Sequence, residues 1–410
     1  MAKLFALEDA ELETGAVELE AAPEVGEVAD AQVEVDADAG EITEVEAGVS
    51  EGMGAADQLE QVEEVVEQAA EGEGLDPVAA EAIKIAVEAI CARIGANPKS
   101  VYSLYATENF KSASSRKANT KYALEGLGEF LKNLWDKIKS ALTSLWEKVR
   151  AFWNKHVSAL GRTLKALEST KDKLSQLKGS GTYDPVEVPG SLRSVFPTKG
   201  QLGASEVAEY AKRVGGALAH MQSFRLLEDA AKATSLGDIK TMVTNAKGSG
   251  VEVEFGTEAA PMAGGVYFKW TFKLETENDD GVEIITLDVE EDHGKTNDGR
   301  KDAQMDIANK DELKAIVTGL ITSTKDLIKY RDKAEQRMKA VSNNFKALDK
   351  AIQGIQDPKQ AKEAKNEIRA FNLVMSKGPM MEAKLLSLQL ATIKGALAYV
   401  STCMKHYKQL

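Results

Sequence analysis

The chain has 410 residues, a formal net charge of −14, 43% hydrophobic but only 6% aromatic residues, and two cysteines. That length can hold a sizeable core, and it leads one to expect two or three domains. The lone cysteines, Cys91 and Cys403, exclude a disulfide framework or a zinc pattern and fit synthesis in a reducing cytoplasm. No apolar run reaches the about 20 residues that a bilayer demands, and the start, MAKLFALEDAELE, lacks the basic head and apolar core of a secretory signal.

The charge is divided between two halves. Residues 1–108 carry 27 acids against 4 bases, a net of −23, whereas residues 109–410 carry 38 acids against 47 bases, a net of +9. The inversion falls within VYSLYATENFKSASSRKA, residues 101–118. A pro-segment joined to a mature domain has this signature, and so does an acidic tail linked to a globular body.

Taken in chain order, residues 9–54 alternate acids with Ala, Val and Gly. Such a tract repels itself and offers little apolar surface to offset the entropy of ordering, so disorder is expected over 1–54 in isolation, although its sparse Val and Ile could pair with a partner. Residues 55–95 predict a helical hairpin. Its first arm carries Leu59, Val62, Val65 and Val66 and ends at Gly72 and Gly74. Its second has Asp76 as N-cap, Pro77 at the first helical position, an apolar face of Ile83, Ile85, Ala86, Ile90 and Ile94, and Gly95 at its end.

Residues 119–178 give the strongest pattern. Apolar residues from Leu124 to Leu167 recur at three- and four-residue intervals without a proline, predicting one amphipathic helix roughly 90 Å long. Gly126, Gly128 and Gly161 are its expected bends. Lys132, Lys137, Lys139, Lys148, Arg150 and Lys155 mark the basic face, and Trp135, Trp146 and Trp153 lie among them. Trp and Lys interleaved suit either a membrane surface or a packed seam with snorkelling lysine stems.

Residues 179–200 read as a linker rich in Gly, Pro and Ser, and 203–246 return to helix, with His220 as an ordinary helix-surface histidine. Residues 250–292 change period to two. VEVEFG, GVYFKWTFKLE and GVEIITLDVE predict three antiparallel strands turning at NDDG, with Val266, Phe268 and Trp270 on one face and Tyr267, Lys269 and Thr271 on the other. The acidic run 288–302 lacks the ligand spacing of a calcium loop and reads as a solvated hairpin end. Residues 309–355 form another long amphipathic helix. Two more helices follow Pro358, split near Lys377-Gly378-Pro379, the last apolar on more than one face.

The fold class is therefore mainly α (α+β): long amphipathic helices in a bundle, a small antiparallel β insertion and an acidic N-terminal tract. The chain divides into four regions: 1–108, 109–180 with the long helix, 181–306 with linker, helices and sheet, and 307–410 as a C-terminal helical bundle. No phosphate loop, GxSxG, nucleophilic Cys/His pair or clustered metal ligands occur, so the sequence supports no enzyme, cofactor or metal. The positive signal is electrostatic, with basic helices suited to non-specific phosphate contact and an attached acidic arm suited to screening them.

The junction and the segment after it resemble the internal head (prohead core, or inner-body) proteins of large tailed phages, the myoviruses. The resemblance rests on Ala106-Thr107-Glu108 with Asn109-Phe110 next in the chain, on NFKSASSRKANTKYALEG and FLKNLWDKIKSALTSLWEKVRAFW after it, on PVAAEAIKIAVEAICARIG before it, and on the C-terminal ALAYVSTCMKHYKQL. It implies a precursor whose acidic propeptide, 1–108, is cut after Glu108 by the phage prohead protease. The mature basic body would then stay in the capsid interior beside packaged DNA and other head core or capsid proteins. A rival reading is a membrane-active virion protein whose helix 130–155 helps DNA across the host envelope; an enzyme delivered with the DNA is a third. Oligomers are compatible with all of these.

Overall fold

The structure, a computed structural model, describes residues 23–95, 105, 107–178, 183–197, 201–245, 251–279, 282–296, 304–353, 355 and 358–407. Four long helices dominate it: α1 (Pro23–Glu71), α3 (Ala113–Gln176), α8 (Lys310–Gln353) and α9 (Pro358–Tyr407). Between them lie α2 (Pro77–Arg93), a 3-10 turn at Thr107–Phe110, and the short helices α4 (Gly190–Val195), α5 (Ala204–Ser223), α6 (Arg225–Lys232) and α7 (Leu236–Asn245). The strands are β1 (Val186–Glu187), β2 (Val251–Phe255), β3 (Val266–Asp279), β4 (Val282–Lys295) and β5 (Gln304–Met305).

Side-chain pairs fix the helix directions. On α3 and α9, Trp135 meets Arg369, Trp146 meets Met375 and Trp153 meets Glu382, so these two helices run parallel. On α8, Phe345 packs edge-on against Trp146 at 5.0 Å and Lys325 pairs with Glu168 at 3.2 Å, so α8 runs antiparallel to α3. Helix α1 packs on α3 and α9. The 64 residues of α3 form one helix through Gly126, Gly128 and Gly161, spanning roughly 96 Å. The expected stripe is the buried one: Leu127, Leu131, Leu134, Ile138, Leu142, Leu145, Val149, Phe152, Leu160 and Leu167 are all inside.

Helix α2 follows its punctuation. Asp76 Oδ1 accepts the N–H groups of Val78 and Ala79 at 2.8 Å, and Gly95 takes a φ of 63° beyond the end. Its buried face is Ala80, Ile83, Val87, Ile90 and Cys91; Ile85, expected among them, is 58% exposed because it falls on the opposite side. The sheet has the order β2-β3-β4, all antiparallel, with Trp270 opposite both Val253 and Glu291. Trp270 and Phe272 are buried, and Val266 and Phe268 pack on the same core, as the alternation predicts. The tip of the hairpin pairs Asp279 with Val282. A second sheet, β1-β5, has no signal in the sequence pattern.

Three expectations need correction. The expected linker 179–200 contributes Val188, Leu192 and Phe196 to a second buried cluster with α5 and the C-terminal part of α9, so 183–197 is packed structure. The acidic end of β4 is not merely solvated, because Glu291 pairs with Lys377 at 2.5 Å. The break expected at Gly378-Pro379 is absent, and α9 is one helix of 50 residues with Pro379 inside it.

The last result has a local cause. Proline lacks the N–H that would donate to the carbonyl four residues earlier, which is that of Met375. The indole Nε1 of Trp146 donates to that carbonyl at 3.1 Å. Gly378 beside it admits close packing, since a Cβ there would lie 2.4 Å from Leu227 Cδ1 of α6. A tryptophan on α3 thus satisfies the backbone group that proline orphans on α9. Trp146→Phe should keep the ring but leave the carbonyl buried and unpaired, lowering stability by about 1–3 kcal/mol. An unchanged denaturation midpoint in that variant would refute this role.

A buried polar cluster sets the register of the same helices. Glu382, with no exposed surface, accepts from Tyr330 Oη at 2.8 Å and Trp153 Nε1 at 3.4 Å and pairs with Arg337, which also reaches Glu228. Removing Glu382 would strip a partner from Tyr330, Trp153 and Arg337 at once in the interior, which is strongly destabilising.

Candidate functional site

The acidic N-terminal segment, from Pro23 onward, is a helix seated in the trough between α3 and α9. Residues 23–54, expected to be disordered in isolation, are helical where they are seated on the rest of the chain, and α1 runs through the boundary drawn at 55; residues 1–22 lie outside the described residues. One side of it is apolar but for Glu46: Val28, Ala31, Val35, Ala39, Ile42, Val49, Met53, Ala56, Leu59, Val66 and Ala70 recur at helical intervals and are all buried, with Glu46 buried among them. On its own the segment would be self-repelling and rich in poor helix formers. Seated, it shares the main hydrophobic core of the rest of the chain.

Ion pairs align the seat. Toward α3, Trp135 Nε1 donates to Glu60 at 2.9 Å, Lys148 pairs with Glu41 at 2.7 Å, and Lys155 pairs with Asp38 at 2.9 Å. His156 Nε2 lies 2.7 Å from Asp38 Oδ2. Gly52 lies where a Cβ would come within 3.2 Å of Ile138 Cγ1. Toward α9, Arg369 pairs with Asp57 at 2.6 Å and Glu60 at 2.5 Å, Lys377 with Glu46 at 2.9 Å, and Ser387 Oγ donates to Asp36 at 2.5 Å. On both neighbours the partners rise in number as those on α1 fall, so α1 is antiparallel to each. Lys377, only 8% exposed, is held between Glu46 of α1 and Glu291 of β4.

The junction is built onto the base of this assembly. Tyr105 and Phe110 have no exposed surface. The Tyr105 hydroxyl lies 3.4 Å from the Ala123 carbonyl, and Arg116 Nε donates to the Phe110 carbonyl at 2.9 Å. Lys117 Nζ donates to the Glu71 carbonyl at 3.0 Å, and Leu75 N–H to Thr120 Oγ1 at 2.8 Å, tying the arm to the first turns of α3. Thr107, Glu108 and Asn109 lie in the 3-10 turn; Asn109 is exposed and its carbonyl takes the Asn119 amide. Ala106 lies outside the described residues.

The remaining site candidates divide by solvent. Trp146 and Trp153 are 4% and 1% exposed, and Trp135 is half-buried under Arg369, so the tryptophans serve the seam between helices. Lys132, Lys137 and Arg150 are exposed, Lys139 lies 3.8 Å from Asp136, and Lys148 and Lys155 are engaged by the arm. No helix of the described residues is long and apolar enough to cross a membrane, and no described group of three or more His, Cys, Asp or Glu is placed to hold a metal.

Such a structure defines a class: a helical bundle closed by its own acidic helix, with cations of the body answered by acids of the arm. The profile of phiKZ-like phage internal head proteins matches residues 28–402, and the chain belongs to that family. It is thus a structural protein of the phage head, located inside the virion capsid. No curated protein and no solved structure matches it.

Burial gives the seat a pH dependence. It raises the carboxyls of Asp36 and Glu63, and it pushes Asp57 up to about 6 against the pull of Arg369 and with the help of Glu60. Asp38 is held below the usual range: burial opposes this, but hydrogen bonds from Lys155 and His156 prevail. His156 itself is pushed down by burial. A carboxyl raised in the folded state takes up protons on folding, so its contribution improves as pH falls through its folded value toward its unfolded one. Relative to Asp57→Asn, the native chain should gain thermal stability between about pH 7.5 and about pH 5. His156 acts in the opposite sense but is common to both proteins. Parallel melting temperatures across that range would contradict the assignment.

Proposed function

We propose that this internal head protein is made as a precursor, that residues 1–108 are its acidic propeptide, and that the prohead protease cuts after Glu108 to leave a basic body beside packaged DNA. The observation that carries the reading is the match between charge and contact. The arm holds a net of −23 and the remainder +9, and the arm's Glu41, Asp38, Asp57, Glu60 and Glu46 are seated on Lys148, Lys155, Arg369 and Lys377 of the body. The charge boundary coincides with Ala106-Thr107-Glu108-Asn109, between the buried anchors Tyr105 and Phe110.

The physical logic is a charge exchange. With the arm in place the whole carries −14 and suits a compartment without DNA. With the arm removed, Lys148, Lys155, Arg369 and Lys377 lose acidic partners and add to the exposed Lys132, Lys137 and Arg150. Basic side chains of this kind bind duplex DNA through counterion release, without reading sequence. Burial of Trp146 and Trp153 supports this reading over membrane insertion of helix 130–155. Association with other head core or capsid proteins follows from the shared compartment.

The turn around Glu108 is anchored on both sides, so the protease would act on a locally opened form. In virions carrying Glu108→Gln, the chain should stay at its precursor length of 44.2 kDa, while the native chain should begin at Asn109. A native-length product in the Glu108→Gln virions, starting at the same residue, would show that the cut lies elsewhere.

A further inference from the structure

The Glu108–Asn109 bond joins two parts that share one interior. On the arm side, Val35, Ile42, Val49, Met53, Leu59 and Val66 are each no more than 6% exposed. On the body side they belong to the same buried cluster as Leu127, Leu131, Leu134, Ile138, Leu142 and Leu145. Paired positions on α1 and α3 extend from Glu60 with Trp135 to Asp38 with His156, roughly 30 Å of continuous antiparallel contact. The contact with α9 extends from Arg369 to Ser387 along the same face of the bundle.

We infer that severing the chain does not free the body: the acidic arm is retained as a second, non-covalent chain, and the trough between α3 and α9 is a receptor for one acidic amphipathic helix, α1 itself. Among the described residues, the apolar stripe of α1 and the trough cover each other. Separating them would return both apolar surfaces to water, at a cost proportional to their area. The ion pairs give alignment and add to the hold at low salt, but exposed pairs contribute little each. Processing then yields a nicked two-chain protein. The charge exchange proposed for maturation, on which this inference rests for its biological meaning, requires a displacing step after the cut.

Salt separates the two kinds of hold. Screening at about 1 M shortens electrostatic reach to about 3 Å, whereas apolar burial survives it. The test uses the full chain with a site-specific protease sequence inserted after Ser100, so that it does not depend on where the phage protease cuts. After cleavage and gel filtration, arm and body should co-elute in equimolar amounts at both about 0.1 M and about 1 M NaCl. Separation at either concentration would overturn the inference; separation only at the higher one would mean that charge alone holds the arm. Two variants sharpen the result. Val35→Glu, at a position with no exposure, should release the cut arm, while Val33→Glu, at one 67% exposed, should not. Equal retention in both would contradict the seat described, and if Val35→Glu fails to fold, the native two-salt comparison still decides.

Discussion

The structure depends on the seating of one acidic helix. Alone, α1 combines like charges, valines and glycines, each of which disfavours a helix. In the trough between α3 and α9 its carboxylates meet Lys148, Lys155, Arg369 and Lys377, and its apolar stripe closes the main core. The two effects reinforce each other. Apolar burial brings the acids to within ion-pair distance of the cations, and the cations relieve the repulsion among the acids. The body depends on the arm in turn, because Lys377 is 8% exposed and has Glu46 as one of its two acidic partners.

A second constraint holds the opposite wall. Pro379 leaves the Met375 carbonyl without its helical donor, and Trp146 supplies one from α3. A few residues along the same helices, Glu382 gathers Tyr330, Arg337 and Trp153. These contacts fix how α3, α8 and α9 lie against one another, and so define the trough that α1 fills. The tryptophans that suggest a membrane face in the sequence are therefore the polar-tipped wedges of the bundle.

Local periodicity makes α3, α8 and the β2-β3-β4 sheet legible, because their patterns are long and their partners lie on the same face of the same element. Asp76, Pro77 and Gly95 likewise mark α2 by chemistry confined to its ends. Only the C-terminal third of α1, from about residue 55, is legible as helix; residues 23–54 are not, since their stripe is diluted by Gly and Glu and their neutralising partners lie far along the chain, as where Asp38 meets Lys155. The continuity of α9 through Pro379 is hidden for the same reason, the compensating donor being on another helix. Of the candidate site, the charge boundary and the cluster of basic residues can be read directly. That Lys148 and Lys155 face acids of the arm, while Lys132 and Lys137 are exposed, is set by tertiary packing alone.

The family match begins at Val28, a buried residue of α1, and so takes in most of the arm together with the body. This agrees with an arm that is part of the folded unit and not an appended tail. The most direct measurement is hydrogen–deuterium exchange of the full-length protein, with peptide mass analysis as the readout. Peptides from residues 35–66 should be protected as strongly as those from the middle of α9, since both lie in one core. Exchange of the α1 peptides within seconds, with α9 protected, would contradict the account at its centre.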